Sequence, residues 1–245
     1  MTDSLKKVFL AAALTAAGLL AGCAAVGPTS DPFLRGLTWE RYIGGDDLAR
    51  ACAVGQPERF RLVYNAVEKE QRRTYDFTGE AGGGALVEAR VIGQPVLNDP
   101  RNPITLNDPL APWRGQTAQQ RIGAAELDSV VAALDASGFD EAAPDGLFLR
   151  ADGFFITASA CRNGQFHFYA WSGEAAGFKP VAERLLGAVL RFDGTGVAPV
   201  HYYEVALPPY GSFFAAAGRD VQPQYTPERY QVGKNGLRYS QGTIN

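Results

Sequence analysis

The side chains able to do covalent or acid–base chemistry are few: three cysteines (Cys23, Cys52 and Cys161) and two histidines (His167 and His201). No two cysteines form a Cys-x-x-Cys pair, so nothing points to a redox-active dithiol. His167 lies in the run Phe166-His-Phe-Tyr-Ala-Trp171, alternating with Tyr169 and Trp171. It lacks partners at metal-ligand spacing and reads as a strand histidine; His201, before Tyr202-Tyr203, is similarly isolated. There is no Gly-x-Ser-x-Gly elbow. Glycines 82–84 follow Glu80 without a Walker lysine and read as a hairpin turn. Asp145, Asp152 and the Asn-Asp loops do not form the Asp-x-Asp-x-Asp-Gly pattern of a calcium loop. Asp46 and Asp47 are adjacent, so their carboxylates diverge and suit helix capping better than paired acid–base work. The expectation is a protein with no catalytic residues, no metal and no cofactor.

Cys23 has a more specific context. Lys6 and Lys7 precede an apolar run from Val8 to Leu20. A membrane-spanning helix needs roughly 20 residues, so this run is too short to span and suits the apolar core of a secretion signal. It closes on Leu20-Ala21-Gly22-Cys23, which resembles the lipobox of bacterial lipoproteins. That resemblance implies acylation of the Cys23 thiol, cleavage before Cys23, and acylation of the new amine. A single acyl chain anchors only marginally; the three chains of this class, palmitate among them, imply a firm lipid anchor. Ala24, where Asp would retain such proteins at the inner membrane, implies the periplasmic face of the outer membrane. Ala21-Gly22 would also suit an ordinary signal peptidase, which would leave Cys23 unmodified.

The compartment changes the reading of the other two cysteines. With Cys23 used by lipid, Cys52 and Cys161 are an even pair in an oxidising space, and a disulfide between them is expected; two separate buried thiols are the alternative. A net charge of −3 argues against general nucleic-acid binding, and secretion argues against it more strongly. The expected partners are the membrane, through Cys23, and an envelope protein. An apolar content of 46% with 20% charged residues describes a globular chain.

The elements that must position these residues follow from periodicity. Residues 1–22 are the signal, 23–36 a Gly/Pro/Ser/Thr-rich tether, 37–205 a single domain, and 206–245 an irregular extension rich in Tyr and Pro. Leu37 to Tyr42 is expected to dock through Trp39 and Tyr42, and Asp46 or Asp47 to cap a short helix ending near Cys52. Arg59–Val67, Arg72–Thr78 and Ala85–Ile92 read as three strands joined by polar and glycine-rich turns. Residues 93–122 read as a long loop in which Leu-Asn-Asp-Pro occurs at 97–100 and 106–109, as recurring turn chemistry. Leu127, Val130, Val131 and Leu134 give a helix over Ala124–Ser137 with Gly138 as its stop. Asn163-Gly164 predicts a type I′ hairpin that pairs Arg162 with Gln165, Cys161 with Phe166 and Ala160 with His167. A second helix is expected over Lys179–Leu190. His201–Val205 could be a strand, and Lys234-Asn-Gly236 could turn a small hairpin.

The sum is an α+β fold: an antiparallel sheet of about five or more strands with two main helices packed on one face. The succession Leu127 to Phe139, Phe154 to Trp171 and Pro180 to Leu190 resembles the helix–hairpin–helix order of emfourin-type inhibitor domains. That resemblance carries no functional residue over, but it implies a hydrolase inhibitor as one expectation.

The hairpin has two faces. One carries Phe155, Thr157, Ser159, Cys161, Phe166 and Phe168, and is expected to meet the helices. The other carries His167, Tyr169 and Trp171, and is expected to face outward, either covered by the amino-terminal segment or open as a binding face. Three functions follow as expectations. The first is a non-enzymatic, lipid-anchored protein that binds or scaffolds an envelope component. The others are a periplasmic hydrolase inhibitor and a cell-wall or polysaccharide enzyme whose carboxylates meet only in the fold.

Overall fold

Alternation of apolar and polar residues builds a six-stranded sheet. In a computed structural model, which describes residues 31–67, 70–93, 103–202 and 229–238, its strands are β1 (Arg59–Ala66), β2 (Gln71–Gly79), β3 (Ala85–Gly93), β4 (Gln116–Ile122), β6 (Phe154–Arg162) and β7 (Gln165–Ser172). The order is β4-β3-β2-β1-β6-β7, with every neighbouring pair antiparallel. A second sheet joins β5 (Phe148–Arg150), β8 (Arg229–Gly233) and β9 (Gly236–Arg238) in the order β5-β8-β9. The helices are α1 (Pro32–Ile43), α2 (Asp46–Ala51), α3 (Ala111–Arg114), α4 (Ala124–Asp135) and α5 (Phe178–Val189), the last followed by a 3₁₀ turn over Leu190–Phe192. The signal, Cys23, most of the tether, the first Leu-Asn-Asp-Pro and residues 203–228 lie outside the described residues.

The α+β reading holds, and the two main helices pack side by side on one face of the antiparallel sheet. Leu127, Val130 and Leu134 of α4 and Ala182, Leu185, Leu186 and Val189 of α5 are buried there against Phe60, Leu62, Tyr64 and Phe77. Helix α4 ends as its sequence dictates. Gly138 takes φ +81°, and the Phe139 N–H reaches back to the Leu134 carbonyl at 3.1 Å, a Schellman-type stop.

Several expectations need correction. First, the faces of the β6–β7 hairpin are inverted. Ile156, Ala158 and Ala160 meet α4 and α5, with Tyr169 and Trp171 packed beside them. The face bearing Phe155 and Phe168 is covered instead by Trp39, Tyr42 and Ile43 of α1 and by Leu149, Tyr230 and Val232 of the small sheet. Two alanines on the helix side let a helix approach closely, whereas the phenylalanines fill the wider space under α1. Second, residues 93–122 are not loop throughout: α3 and β4 lie within them, and β4 pairs with β3 from Ala85↔Ile122 to Val91↔Gln116. The polar sequence Gln116-Thr-Ala-Gln-Gln-Arg hides an edge strand because one of its faces stays wet. Third, part of the carboxyl-terminal extension is regular. Val232 and Tyr230 are buried, and β8 pairs with β5, so the small Lys234-Asn-Gly236 hairpin is a working part of the fold. His201 and Tyr202 are not in a strand; residues 203–205 lie outside the described residues.

Asp46 and Asp47 do not cap α2. Gly45 takes that position at φ +78°, and a Cβ there would sit 2.7 Å from Ser159 Cβ. Asp47 instead faces Arg61.

Cys52 and Cys161 form the expected disulfide, with Cα atoms 5.5 Å apart and 109 residues of separation. It ties the end of α2 to β6 one register from the hairpin turn. Asn163 (φ 52°) and Gly164 (φ 74°) make that turn, and the pairing Arg162↔Gln165, Cys161↔Phe166, Ala160↔His167 is the one Asn-Gly implies. Replacing both Cys52 and Cys161 by Ser is expected to cost about 2–5 kcal/mol of unfolding free energy, read from denaturant titration. An unchanged midpoint would show that the crosslink contributes nothing.

Arg73 is fully buried on the helix-facing side. It donates to Asp193 Oδ2 at 2.6 Å and to Gln71 Oε1 at 2.7 Å, and Tyr75 donates to the same Asp193 oxygen at 2.7 Å. Arg73→Met strands a buried carboxylate, so thermal or denaturant unfolding should show a loss of about 3–5 kcal/mol.

Candidate binding surface

Strand β7 is one edge of the large sheet, and its side chains His167, Tyr169 and Trp171 are all half-buried. The tight turn after α4 meets them. The His167 Nε2–H donates to the Phe139 carbonyl, and the Phe139 ring stands edge-on to the imidazole at 4.8 Å. The Trp171 indole N–H donates to the Ser137 carbonyl at 2.9 Å. Arg184 of α5 donates to the Ala136 carbonyl at 2.8 Å. Three carbonyls of the α4 C-cap and the turn after it, at Ala136, Ser137 and Phe139, are thus taken up by side chains from β7 and α5. The fold brings the aromatic set together: Tyr169 and Trp171 have ring centroids 4.8 Å apart. It also commits the polar atoms of His167 and Trp171 to backbone.

Charges gather on the same edge. Arg162 donates to Asp140 at 2.8 Å and lies 3.6 Å from Asp135. Partial burial, then the neighbouring Asp140 charge, raises the Asp135 carboxyl above its ordinary value. This is a pair of carboxylates that the sequence did not show. It is a surface arrangement sharing one guanidinium, and neither residue lines the small cavity under α4 and α5 or the cleft beside α5.

A cleft of about 190 Å³ lies elsewhere, between α5 and the segment after Phe192. Tyr64, Lys179, Glu183, Leu186, His201 and Tyr202 line it. It is below the roughly 300–1,000 Å³ typical of small-molecule sites. Tyr202 is held by its hydroxyl, which donates to the Gly173 carbonyl at 2.9 Å, and by edge contacts with Phe154 and Phe178. Nothing in the sequence marked this cleft, because its walls come from three separate segments. Among the described residues, no group of three or more His, Cys, Asp or Glu is placed to hold a metal ion.

The opposite face of the sheet carries a buried polar network. Arg61, 1% exposed, donates to both oxygens of Asp47 at 2.7 and 2.8 Å. It also donates to Asp76 at 2.6 Å and to the Tyr42 carbonyl at 2.8 Å. Burial would lower its pKa, but the Asp76 charge, aided by Tyr42 and Asp47, more than reverses this and holds it charged. Arg35, on α1, lies near Arg72, Arg90 and Arg114; burial first, then repulsion from Arg72 and Arg90, lowers it to about 10.

No protein-family model matches the chain, and no curated protein matches it.

Burial, then the Glu141 charge, raises the Tyr169 phenol above its ordinary 10.0. Between pH 10 and that raised value the folded chain holds a proton the unfolded chain has lost, so stability falls as pH rises through this window. Ultraviolet titration against a Tyr169→Phe control should place its phenolate late. Glu141→Gln should move it only part of the way back, since burial is the larger cause.

Proposed function

We propose that this chain is a lipid-anchored protein of the bacterial envelope, non-enzymatic, whose α+β body binds or scaffolds another envelope component. One observation carries the reading. Cys52 and Cys161 are joined to each other, and Cys23 is the one cysteine of three that is not part of that bridge. That cysteine stands at the end of an apolar run, in the setting Leu20-Ala21-Gly22-Cys23. A disulfide spanning most of the body suits an oxidising compartment, and the apolar run suits export to it. Among the described residues, no helix is long and apolar enough to cross a membrane, so a lipid at Cys23 would supply the attachment. The periplasmic face of the outer membrane is the location that Ala24 favours.

The binding reading draws on how the reactive side chains are spent. His167 and Trp171 hold a helix end, Asp47 and Asp76 hold Arg61, and Asp193 holds Arg73. The surface this reading assigns to a partner is the β7 edge and the hairpin end beside it, with Tyr169 on the edge strand and the Arg162–Asp140 ion pair near the turn. A second reading, a periplasmic hydrolase inhibitor, draws on the order α4, β6–β7 hairpin, α5. Slowed proteolysis by the purified protein across a protease panel would favour it.

The test is metabolic labelling with palmitate in a bacterial host. The full chain is expected to incorporate label and Cys23→Ala to lose it completely. Crosslinking in intact envelopes should then give a reproducible adduct with the parent chain that weakens in a Tyr169→Ala, Arg162→Ala variant. Equal labelling of parent and Cys23→Ala chains would end the reading.

A further inference from the structure

Helix α1 has two apolar sides. Its inward row is Arg35, Trp39, Tyr42 and Ile43, at the i, i+4, i+7, i+8 spacing of one helix face, and all four are buried. Its outward side begins with Phe33, Leu34 and Leu37, and these are 72%, 51% and 69% exposed. Phe33 and Leu37 are one turn apart on the same stripe, facing away from the sheet. The amino terminus of the helix is fixed, since Asp31 accepts from the Phe33 and Leu34 N–H groups at 2.9 Å each. Helix α3 adds to this end of the molecule. Arg35 donates to the Arg114 carbonyl at 3.1 Å and to the Trp113 carbonyl, while the Trp113 and Leu110 side chains are exposed. An ion pair between Arg114 and Asp108 at 2.8 Å holds the loop before α3 in place, and that loop exposes Leu106.

We propose that the outward stripe of α1, with Trp113 of α3, is a docking surface for the lipid bilayer in which Cys23 is anchored. The inference rests on the lipid-anchor reading. Two features favour lipid over a second copy of the chain or a protein partner. Asp31 lies eight positions beyond Cys23 in the sequence, and a fully extended chain of eight steps reaches at most about 26–29 Å. The amino-terminal end of α1 is therefore held within that distance of the headgroups, and that is the end that carries the exposed Phe and Leu side chains. The second feature is charge. The ionised groups near the stripe are Asp31 and Asp108 against Arg35, Arg72, Arg90 and Arg114, so apolar side chains and an indole stand beside a cationic group, which suits an interface lined with phosphate headgroups. Tryptophan at the border of such a patch suits the headgroup level. Docking of this kind holds the body flat against the membrane and turns the β7 edge in a fixed direction, where a lipid tether alone would leave it free to tumble.

The experiment uses the full, acylated chain reconstituted in phosphatidylcholine vesicles, with and without dibrominated acyl chains. Trp113 is one of three tryptophans, and its emission is isolated by subtracting a Trp113→Phe variant. The Trp113 signal is expected to fall at least two-fold in brominated vesicles and to stay quenched in high salt. A Phe33→Asp, Leu37→Asp variant should lose most of that quenching while keeping the Cys52–Cys161 disulfide and the parent unfolding transition. The mass of the amino-terminal peptide is read on the same samples. Acyl groups present with no Trp113 quenching would overturn docking and leave the anchor standing; acyl groups absent would overturn the anchor, and docking with it. A concentration-dependent dimer that Leu37→Asp dissociates, in unquenched samples, would assign the stripe to self-association and overturn the proposal.

Discussion

A guanidinium inside a protein must be surrounded by acceptors, because an unpaired buried charge costs several kcal/mol. Arg61 stands near the middle of the sheet on β1, and its acceptors come from three other elements: Asp47 on α2, the Tyr42 carbonyl at the end of α1, and Asp76 on β2. The Tyr42 ring also lies 3.8 Å from its charge, and the Tyr42 hydroxyl donates to Asp76. Burial and the Asp76 charge push that phenol well above its ordinary range, so Tyr42 acts as a fixed donor. The position of the amino-terminal helices is therefore set by where one arginine can be satisfied. Apolar packing of Trp39 and Ile43 completes the seating, but a hydrophobic contact alone would tolerate a slide of the helix along the sheet. A bidentate carboxylate pair does not.

The other face uses the same device. Arg73 sits on the neighbouring strand β2 and points to the helix side, where Asp193, the Gln71 amide and the Val197 carbonyl receive it. This fixes the chain that leaves α5, as Arg61 fixes the chain that leads into β1. Both faces of the sheet's central strands are covered and both covers locked, while the edge strand β4 keeps one face wet. What remains is the sheet's edges and ends. That is why the half-buried aromatic set lies on β7 and why the exposed apolar side chains lie at the far side of α1.

Local chemistry in the sequence was enough for the elements whose signals are local. Asn163-Gly164 sets a register because a type I′ turn allows only one, and the three strands β1 to β3 are β-rich runs bounded by polar and glycine-rich turns. Helices α4 and α5 show their faces at 3.6-residue spacing. The disulfide was legible only through a non-local inference, from the apolar run to the compartment to the pairing of Cys52 with Cys161. The failures share a cause. Which face of the β6–β7 hairpin meets the helices depends on comparing two apolar faces, and the sequence offers no measure of the gap each must fill. Ala158 and Ala160 decide it by being small, a property that matters only once the helices are in place. Strand β4 was hidden because an edge strand with a wet face has no need of apolar alternation. The cleft beside α5 and the cationic group around Arg35 were hidden because their residues are distant in sequence.

The two sides of α1 show how far a single helix can be read. Isolated exposed apolar residues such as Val54 or Phe148 are ordinary on any surface. Phe33, Leu34 and Leu37 differ because they occupy one side of a helix whose other side is already fully used by Arg35, Trp39, Tyr42 and Ile43. Their exposure cannot be a by-product of burying the inward row, since polar residues at 33, 34 and 37 would leave that row untouched. Nor do they help hold the helix in register, since Asp31 caps it and Arg61 holds its end. Apolar area left in water forgoes about 25 cal/mol for each Å², and three large side chains on one stripe forgo that together. A segment under no constraint beyond folding would place charges there, as it does at Arg41, further along the same side. The pattern becomes economical only if the amino-terminal half of α1 spends its time against something apolar. In a chain with an acylated Cys23, the bilayer is the apolar phase that the helix would always be near.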